Sequence, residues 1–252
     1  MKTALLVSDI DGTLLGDAAA LRRCNAWLEA RRDRIAIAYA SGRTRPSILQ
    51  SVAADGLLEP DAVICNVGTE IYAPPEGDAL HGWRDSISRA WSAQEVRKAL
   101  ANYPGLEAQP DDAQSDLKVS YFLHDAAPEQ IEDIRSRVVD AGIHGQIVYS
   151  SGRDLDVLPA GADKGAAAGY LALHWNIPFA HVIVAGDSGN DLALFGEGFC
   201  GIIVANAQPE LKSHQGATVF HASAECAGGV LEGLEHWWST IERAAAPAGR
   251  SN

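Results

Sequence analysis

The stretch Val7–Leu15, VSDIDGTLL, closes an apolar run with two carboxylates, Asp9 and Asp11, and then turns through Asp11-Gly12. Carboxylates are among the side chains least often buried, and like charges a few ångströms apart raise each other's energy. The pair therefore needs a cation, a shared proton or open solvent. Upstream, Ala4 to Val7 has strand length; downstream, Asp17 to Arg31 has helix length. The same unit returns along the chain. IAIAYASGR begins at Ile35, AVIC at Ala62, HVIVAGD at His181 after a helix expected over Lys164 to Trp175, and GIIVANA at Gly201. Continuous apolar strands alternating with helices predict an α/β fold with a parallel sheet covered on both faces.

The middle of the chain follows another rhythm. Ser92 with Glu95 marks the start of a helix running toward Tyr103, and Pro128 to Ala141 forms a second helix closed by Gly142. LKVSYFL, GQIVYSS and RDLDVLP are strand-like, the last with apolar residues at alternate positions. Two helices among short strands predict an α+β module over residues 80–158, inserted in a larger α/β unit made of 1–79 and 159–252. PPEGD and LPAGAD flank it. Asp156 reads as a solvent-facing strand residue, Trp237 and Trp238 as the docking face of a last helix, and Ala244 to Asn252 as a frayed tail.

With 252 residues, 47% of them hydrophobic and 21% charged, the chain has the composition of a globular protein. A net charge of -13 argues against nucleic acid as a partner, because phosphate backbones are held by basic surfaces. A phosphorylated small molecule needs only a few local cations. Cys24, Cys65, Cys200 and Cys226 form no C-x-x-C pair, which points to a reduced, cytoplasmic setting. The eight histidines are scattered without metal-site spacing. The opening MKTALLVSDI is too short for a signal peptide's apolar region or a membrane span, and no membrane partner is expected.

Four segments carry chemistry: DIDGT from Asp9 to Thr13, Ser41 in ASGR, Lys164 in ADKG, and GDSGND from Gly186 to Asp191. Three of them follow apolar strands, and parallel sheets bind ligands beyond the carboxyl ends of their strands. Convergence there would gather Asp9, Asp11, Asp187 and Asp191, a set that a hard divalent cation, Mg²⁺ foremost, makes tolerable. Lys164 alone reads as a surface lysine at a helix start, where a cation opposes the dipole and a phosphate would offset it. GDSGND can also serve as a turn and N-cap for a helix through Leu194.

Taken in order, these segments resemble the four motifs of the haloacid dehalogenase phosphohydrolase superfamily. D-x-D-G-T is met in full, and an insert between the second and third motifs is similar to that superfamily's large C2-type cap on a Rossmann-like core. KVSYFL from Lys118, YSSGRDLDVLP from Tyr149, NVGTEIY from Asn66 and IIVANAQPEL from Ile202 are similar to the sucrose-phosphate phosphatase family over most of the chain. That group includes mannosylfructose-phosphate phosphatases, and the sequence does not separate the two.

The resemblance implies a Mg²⁺-dependent phosphate monoester hydrolase acting on a disaccharide phosphate, sucrose 6-phosphate first. Asp9 is then the nucleophile and Asp11 the acid and base. The metal is held by Asp9, Asp11 through its backbone carbonyl, and Asp187, with Asp191 orienting that shell. Ser41, Lys164 and Asn190 hold the phosphoryl oxygens. On the insert, Lys118, Ser150, Arg153 and Asp154 are the candidates for the sugar hydroxyls, and a synthase supplying the sugar phosphate is the implied functional partner. Alternatives are a broader sugar phosphatase, a phosphohexose mutase, or a non-catalytic sugar-phosphate-recognition module partnering a synthase. Modules of that last kind usually lose a catalytic aspartate or the lysine, and here Asp9, Asp11, Lys164, Asp187 and Asp191 are all present. Gly68, Thr69 and Glu70 share the family's pattern without a role that the sequence supplies.

Overall fold

A strand made only of apolar residues is stable where both its faces are covered, and the first half of the chain builds such strands around helices. In the computed structural model, which describes residues 2–245, these elements are β1 (Ala4–Ser8), α1 (Ala18–Glu29), β2 (Ile35–Ala40), α2 (Arg45–Asp55), β3 (Ala62–Cys65) and β4 (Glu70–Tyr72). The middle contributes α3 (His81–Ile87), α4 (Ala93–Leu100), β5 (Glu107–Ala108), β6 (Val119–Phe122), α5 (Pro128–Asp140), β7 (Gly145–Ser150) and β8 (Asp154–Pro159). The chain then adds α6 (Lys164–His174), β9 (Val182–Gly186), β10 (Cys200–Ile203), α7 (Pro209–Lys212), β11 (Val219–His221) and α8 (Cys226–Ala245). The stretch 246–252, most of the expected frayed tail, lies outside the described residues.

Seven strands form one sheet in the order β11-β10-β9-β1-β2-β3-β4, parallel except for β4, which runs antiparallel to β3. β1, β2, β3, β9 and β10 are buried along their whole length. Helix α1 is opened by Asp17, whose carboxylate accepts from the backbone N–H of Ala19 and Ala20 at 2.8 and 3.0 Å. It packs against α8, which also covers β9 and β10. Trp238 meets Trp27 edge to face at 6.0 Å, and Trp237 donates its indole N–H to the carbonyl of Gly201 at 3.0 Å, so the tryptophan pair docks the last helix as expected.

A second sheet, all antiparallel, runs β5-β6-β8-β7. One of its faces supplies Val119, Tyr121, Leu155 and Val157 to a small separate core closed by Val96 and Leu100 of α4 and Ile134 and Val138 of α5. The module expected over residues 80–158 begins with α3, yet Trp83 and Ile87 of that helix pack in the larger core of the seven-stranded sheet.

At the amino ends of the strands, away from the four motif segments, Asp61 ties the sheet together. Its carboxylate accepts from Lys2, Arg32 and the backbone N–H of Ile37, the last at 2.8 Å. Burial alone would raise its pKa, but these three donors outweigh burial and hold the carboxyl below its ordinary range. The stabilisation is therefore present above pH ~4 and is lost as pH falls through the folded value. Asp61→Ala is expected to cost about 2 kcal/mol at neutral pH, because it leaves a partly buried backbone donor and two cations without their acceptor. Urea unfolding measures this. A loss under about 0.5 kcal/mol would show that water replaces the carboxylate without penalty.

Candidate active site

Parallel strands deliver their carboxyl ends to one edge, and four of them do so here. Asp9 follows β1, Ser41 follows β2, Asp187 follows β9, and the Val204–Gln208 loop follows β10. Lys164 arrives from the other direction as the first residue of α6, whose N-cap is Asp163 accepting from Ala166 N–H at 2.8 Å. The side chain of Lys164 is fully buried, and its ammonium donates to Asp9 Oδ1 at 2.8 Å, Asn190 Oδ1 at 2.7 Å and Asp191 Oδ1 at 2.6 Å. Three donors meet three acceptors, so the cation's hydrogen-bonding capacity is filled. Lys164 is thus no surface lysine.

Asp191 uses its second oxygen to accept from the backbone N–H groups of Asp187 at 2.9 Å and Ser188 at 3.1 Å. This folds GDSGND into a capped single 3₁₀ segment, Gly189–Phe195, and aims Asp187 at the strand edge. Thr13 donates its hydroxyl to Asp187 Oδ1 at 3.3 Å, tying the first motif to the fourth. Gly12, at φ +75°, lets the two loops close: a Cβ there would stand 2.5 Å from Asp187 Oδ2.

Oxygen atoms of Asp9, Asp187 and Asp191 lie within 4.8 Å of one another. Burial raises Asp9 to about 8, with Lys164 opposing and Asp191 and Asp187 adding to the rise. Asp187 is raised to about 6, again chiefly by burial and then by Asp191. Burial pulls Lys164 down, but Asp191 and Asp9 together push it above the ordinary lysine range. One ammonium against three carboxylates leaves two negative charges among hard oxygen donors, which is the chemistry a divalent cation satisfies. The carboxylate of Asp11 is not in this cluster. It is half-exposed and paired with Arg43, whose other nitrogen donates to Ser51 Oγ.

Above the cluster lies a cavity of about 620 Å³, within the range of small-molecule sites. Its floor is Asp9, Asp11, Ser41, Arg43, Asp187 and Asn190, and its roof is the second face of the four-stranded sheet. All four insert residues singled out from the sequence, Lys118, Ser150, Arg153 and Asp154, line it. Lys118 reaches across to donate to the backbone carbonyl of Gly42 at 3.2 Å, so roof and floor touch.

The expectation that Asp156 faces solvent is wrong. It is 7% exposed, accepts from Ser120 Oγ at 2.5 Å, and lies 4.0 Å from Lys118 Nζ. Burial raises its carboxyl, and Lys118 opposes that rise. Alternation along β8 sends Leu155 and Val157 into the small core and Asp154 and Asp156 to the other face, which the large unit covers. Sequence reasoning also missed Arg43, Gln109 and Phe122 in the cavity wall. Gln109 holds Asp154, donating to its Oδ1 at 3.0 Å. Asn206 was missed too: it donates to the carbonyl of Gly12 at 2.7 Å and accepts from Cys226 N–H at 2.8 Å, fixing the first motif against α8. Arg43 adjoins Ser41 in ASGR, and the period of two that faces Asp154 to the cavity also faces Asp156. Nothing local marks Asn206.

Comparison with known proteins agrees with this architecture. A family model described as Sucrose-6F-phosphate phosphohydrolase matches residues 2–238. A mannosylfructose-phosphate phosphatase of Agrobacterium fabrum is 38% identical over 238 residues, covering 92% of this chain and 96% of that one. A probable sucrose-phosphatase 2 of Arabidopsis thaliana is 31% identical over 251 residues, and there the match spans only 59% of the relative's length. The crystal structure of the sucrose-phosphatase from Synechocystis sp. PCC6803, in complex with sucrose and phosphate, has a TM-score of 0.89 at 36% identity and covers 94% of this chain and 98% of that one. With a haloacid dehalogenase fold and a family match along nearly its whole described length, the chain belongs to the Sucrose-6F-phosphate phosphohydrolase family.

Proposed function

We propose that this chain hydrolyses the phosphate ester of a disaccharide phosphate, sucrose 6-phosphate first, through a covalent intermediate on Asp9. The observation that carries the reading is the closure of one cavity between the motif cluster and a polar sheet face, with Asp9, Ser41 and Asn190 on one side and Lys118, Asp154 and Asp156 on the other. A phosphate fits the first side and sugar hydroxyls the second. The intact, assembled motif set supports an enzyme over a recognition module.

Lys164 takes one oxygen of Asp9, which leaves the other to attack phosphorus in line as the bond to the sugar oxygen breaks. Asp11, at the cavity floor and protonated once its pair with Arg43 opens, gives its proton to that departing oxygen. Asp11, now ionised, then takes a proton from a water whose oxygen attacks the phosphorus as the bond from phosphorus to the Asp9 oxygen breaks, so that inorganic phosphate leaves and both aspartates are restored. Ser41 Oγ and Asn190 Nδ2 donate to the phosphoryl oxygens, where charge spreads in the transition state. Asp9, Asp187 and the backbone carbonyl of Asp11 would hold Mg²⁺, with Asp191 fixing Asp187 through its backbone N–H. When bound, the ion neutralises charge on phosphate and carboxylates alike.

A second reading, mannosylfructose phosphate as substrate, is favoured by the higher identity to the Agrobacterium relative and the near-complete coverage of it. In either case hydrolysis is irreversible and would draw forward an unfavourable upstream transfer, which makes a synthase the functional partner. Four buried free cysteines suit a reducing cytoplasm. No helix among the described residues is long and apolar enough to cross a membrane.

Phosphate release from sucrose 6-phosphate, mannosylfructose phosphate, glucose 6-phosphate and fructose 6-phosphate, with Mg²⁺ and with EDTA, tests the reading. One disaccharide phosphate is expected to lead in kcat/KM by at least about 10²-fold, since hydroxyls matched to buried polar groups discriminate strongly. Equal rates on all four would leave a broad sugar phosphatase in its place. Asp9→Asn is expected to lower kcat by at least about 10³-fold with the fold intact, and activity surviving it would remove Asp9 as nucleophile.

The raised carboxylates set a pH signature. Asp9 at about 8 and Asp187 at about 6 stand above the unfolded value near 4, so the metal-free fold retains protons that the unfolded chain has released. Their contribution is full below pH ~4 and is lost as pH rises through those folded values. Mg²⁺ requires the ionised forms, so the rise in Tm that it produces should grow from about pH 5 to about pH 8. Differential scanning calorimetry at fixed Mg²⁺ reads this, and an increment that stays level across the range would place the cation elsewhere.

A further inference from the structure

Three consecutive residues after β3 adopt left-handed backbone: Asn66 at φ +50°, Val67 at φ +59° and Gly68 at φ +100°. A β-branched residue there is a genuine outlier, and such strain persists only where surrounding contacts over-determine it. The same turn holds a buried side-chain oxygen, Asn66 Oδ1, without a hydrogen-bond partner. A plain connection between antiparallel neighbours, β3 and β4, requires none of this.

The contacts that over-determine the turn belong to the motif segments on both sides of it. Asn66 donates its backbone N–H to the carbonyl of Arg43, and Val67 to that of Ser41, each at 3.0 Å. On the other side Gly68 presses against the start of α6: a Cβ at Gly68 would stand 2.2 Å from the carbonyl carbon of Asp163 and 2.7 Å from the nitrogen of Lys164. Trp83 locks the turn from behind by donating its indole N–H to the Gly68 carbonyl at 2.9 Å, and its ring packs on Tyr170 of α6 at 5.4 Å. The turn is therefore a spacer whose two ends are the Ser41 loop and the backbone of Lys164.

We propose that the Asn66–Gly68 turn is a positioning element that sets the separation of Ser41, read above as a phosphate donor, and Lys164, which orients Asp9 and Asn190 toward the phosphate, with Gly68 as its critical residue. This gives Gly68 a role, which the sequence left without one, and it rests on the reading of Ser41, Asp9 and Asn190 above. A side chain at Gly68 must displace Asp163 and Lys164, and a shift on the order of 1 Å in a catalytic group costs roughly 10²-fold in rate.

The test titrates inorganic phosphate calorimetrically into the Mg²⁺-loaded full chain, alongside kcat and Tm. Gly68→Ala is expected to raise the phosphate Kd at least about tenfold and to lower kcat by about 10²-fold. Trp83→Phe keeps an aromatic ring but removes the donor to the Gly68 carbonyl, and should raise the phosphate Kd by about threefold. A merely structural turn would lower Tm in both variants and leave the phosphate Kd of the folded protein unchanged, which overturns the proposal. If Gly68→Ala does not fold, Trp83→Phe decides alone. Wild-type chain that neither binds phosphate nor releases it from any sugar phosphate would overturn the reading of the site, whereas wild-type binding matched by both variants would overturn only the role of the turn.

Discussion

The ammonium of Lys164 is the interaction on which the site depends. Fully buried, it bonds to Asp9 of the first motif and to Asn190 and Asp191 of the fourth. A buried charge is tolerated when its partners are well placed, and removing one partner of such a pair typically costs about 3–5 kcal/mol. Two strand ends separated by more than 170 residues are thereby held at a fixed distance across the cation. Once ionised, the three carboxylates outnumber the single lysine by two charges, a deficit of positive charge that a divalent ion offsets.

The remaining architecture keeps this cluster dry on one side and open on the other. Parallel strands bring Asp9, Ser41 and Asp187 to one edge without any long-range instruction beyond the alternation of apolar strands and helices. The insert then covers that edge with a sheet whose two faces do different work. Val119, Tyr121, Leu155 and Val157 close its own small core, while Lys118, Phe122, Asp154 and Asp156 face the cavity. Because the period of a strand is two, a single register decides both sets, and a slip by one residue would turn the polar set into the core.

This division explains what the sequence reveals and what it hides. The motif aspartates, Ser41 and Lys164 were legible because each sits at a strand or helix end with a local signature. The strands, the capping of α4 by Ser92 and the docking of Trp237 and Trp238 were legible from apolar period and cap chemistry. Asp156 was misread because alternation separates two faces but does not say whether water or a second unit covers the polar one. Asn206, Gln109 and Trp83 act through backbone carbonyls or side chains distant in sequence, and pairing of that kind leaves no periodicity. The packing of α3 with the larger core has the same origin: an amphipathic helix shows its apolar side without naming the partner.

A direct bond from Lys118 to the carbonyl of Gly42, beside Ser41, joins the roof of the cavity to its floor. Lys118 is 4% exposed and its carboxylate neighbour Asp156 is 7% exposed, so the pair is desolvated whether or not a sugar is present. A desolvated pair rewards only a ligand that satisfies its polar atoms, because a ligand lacking the matching hydroxyl leaves them unpaired at full cost. On the proposed function, selection among sugars would fall on the same residues that bring the roof against the Ser41 loop. A sugar that competed for Lys118 would alter the contact at Gly42, so on that reading recognition of the sugar and the position of the Ser41 loop would be coupled.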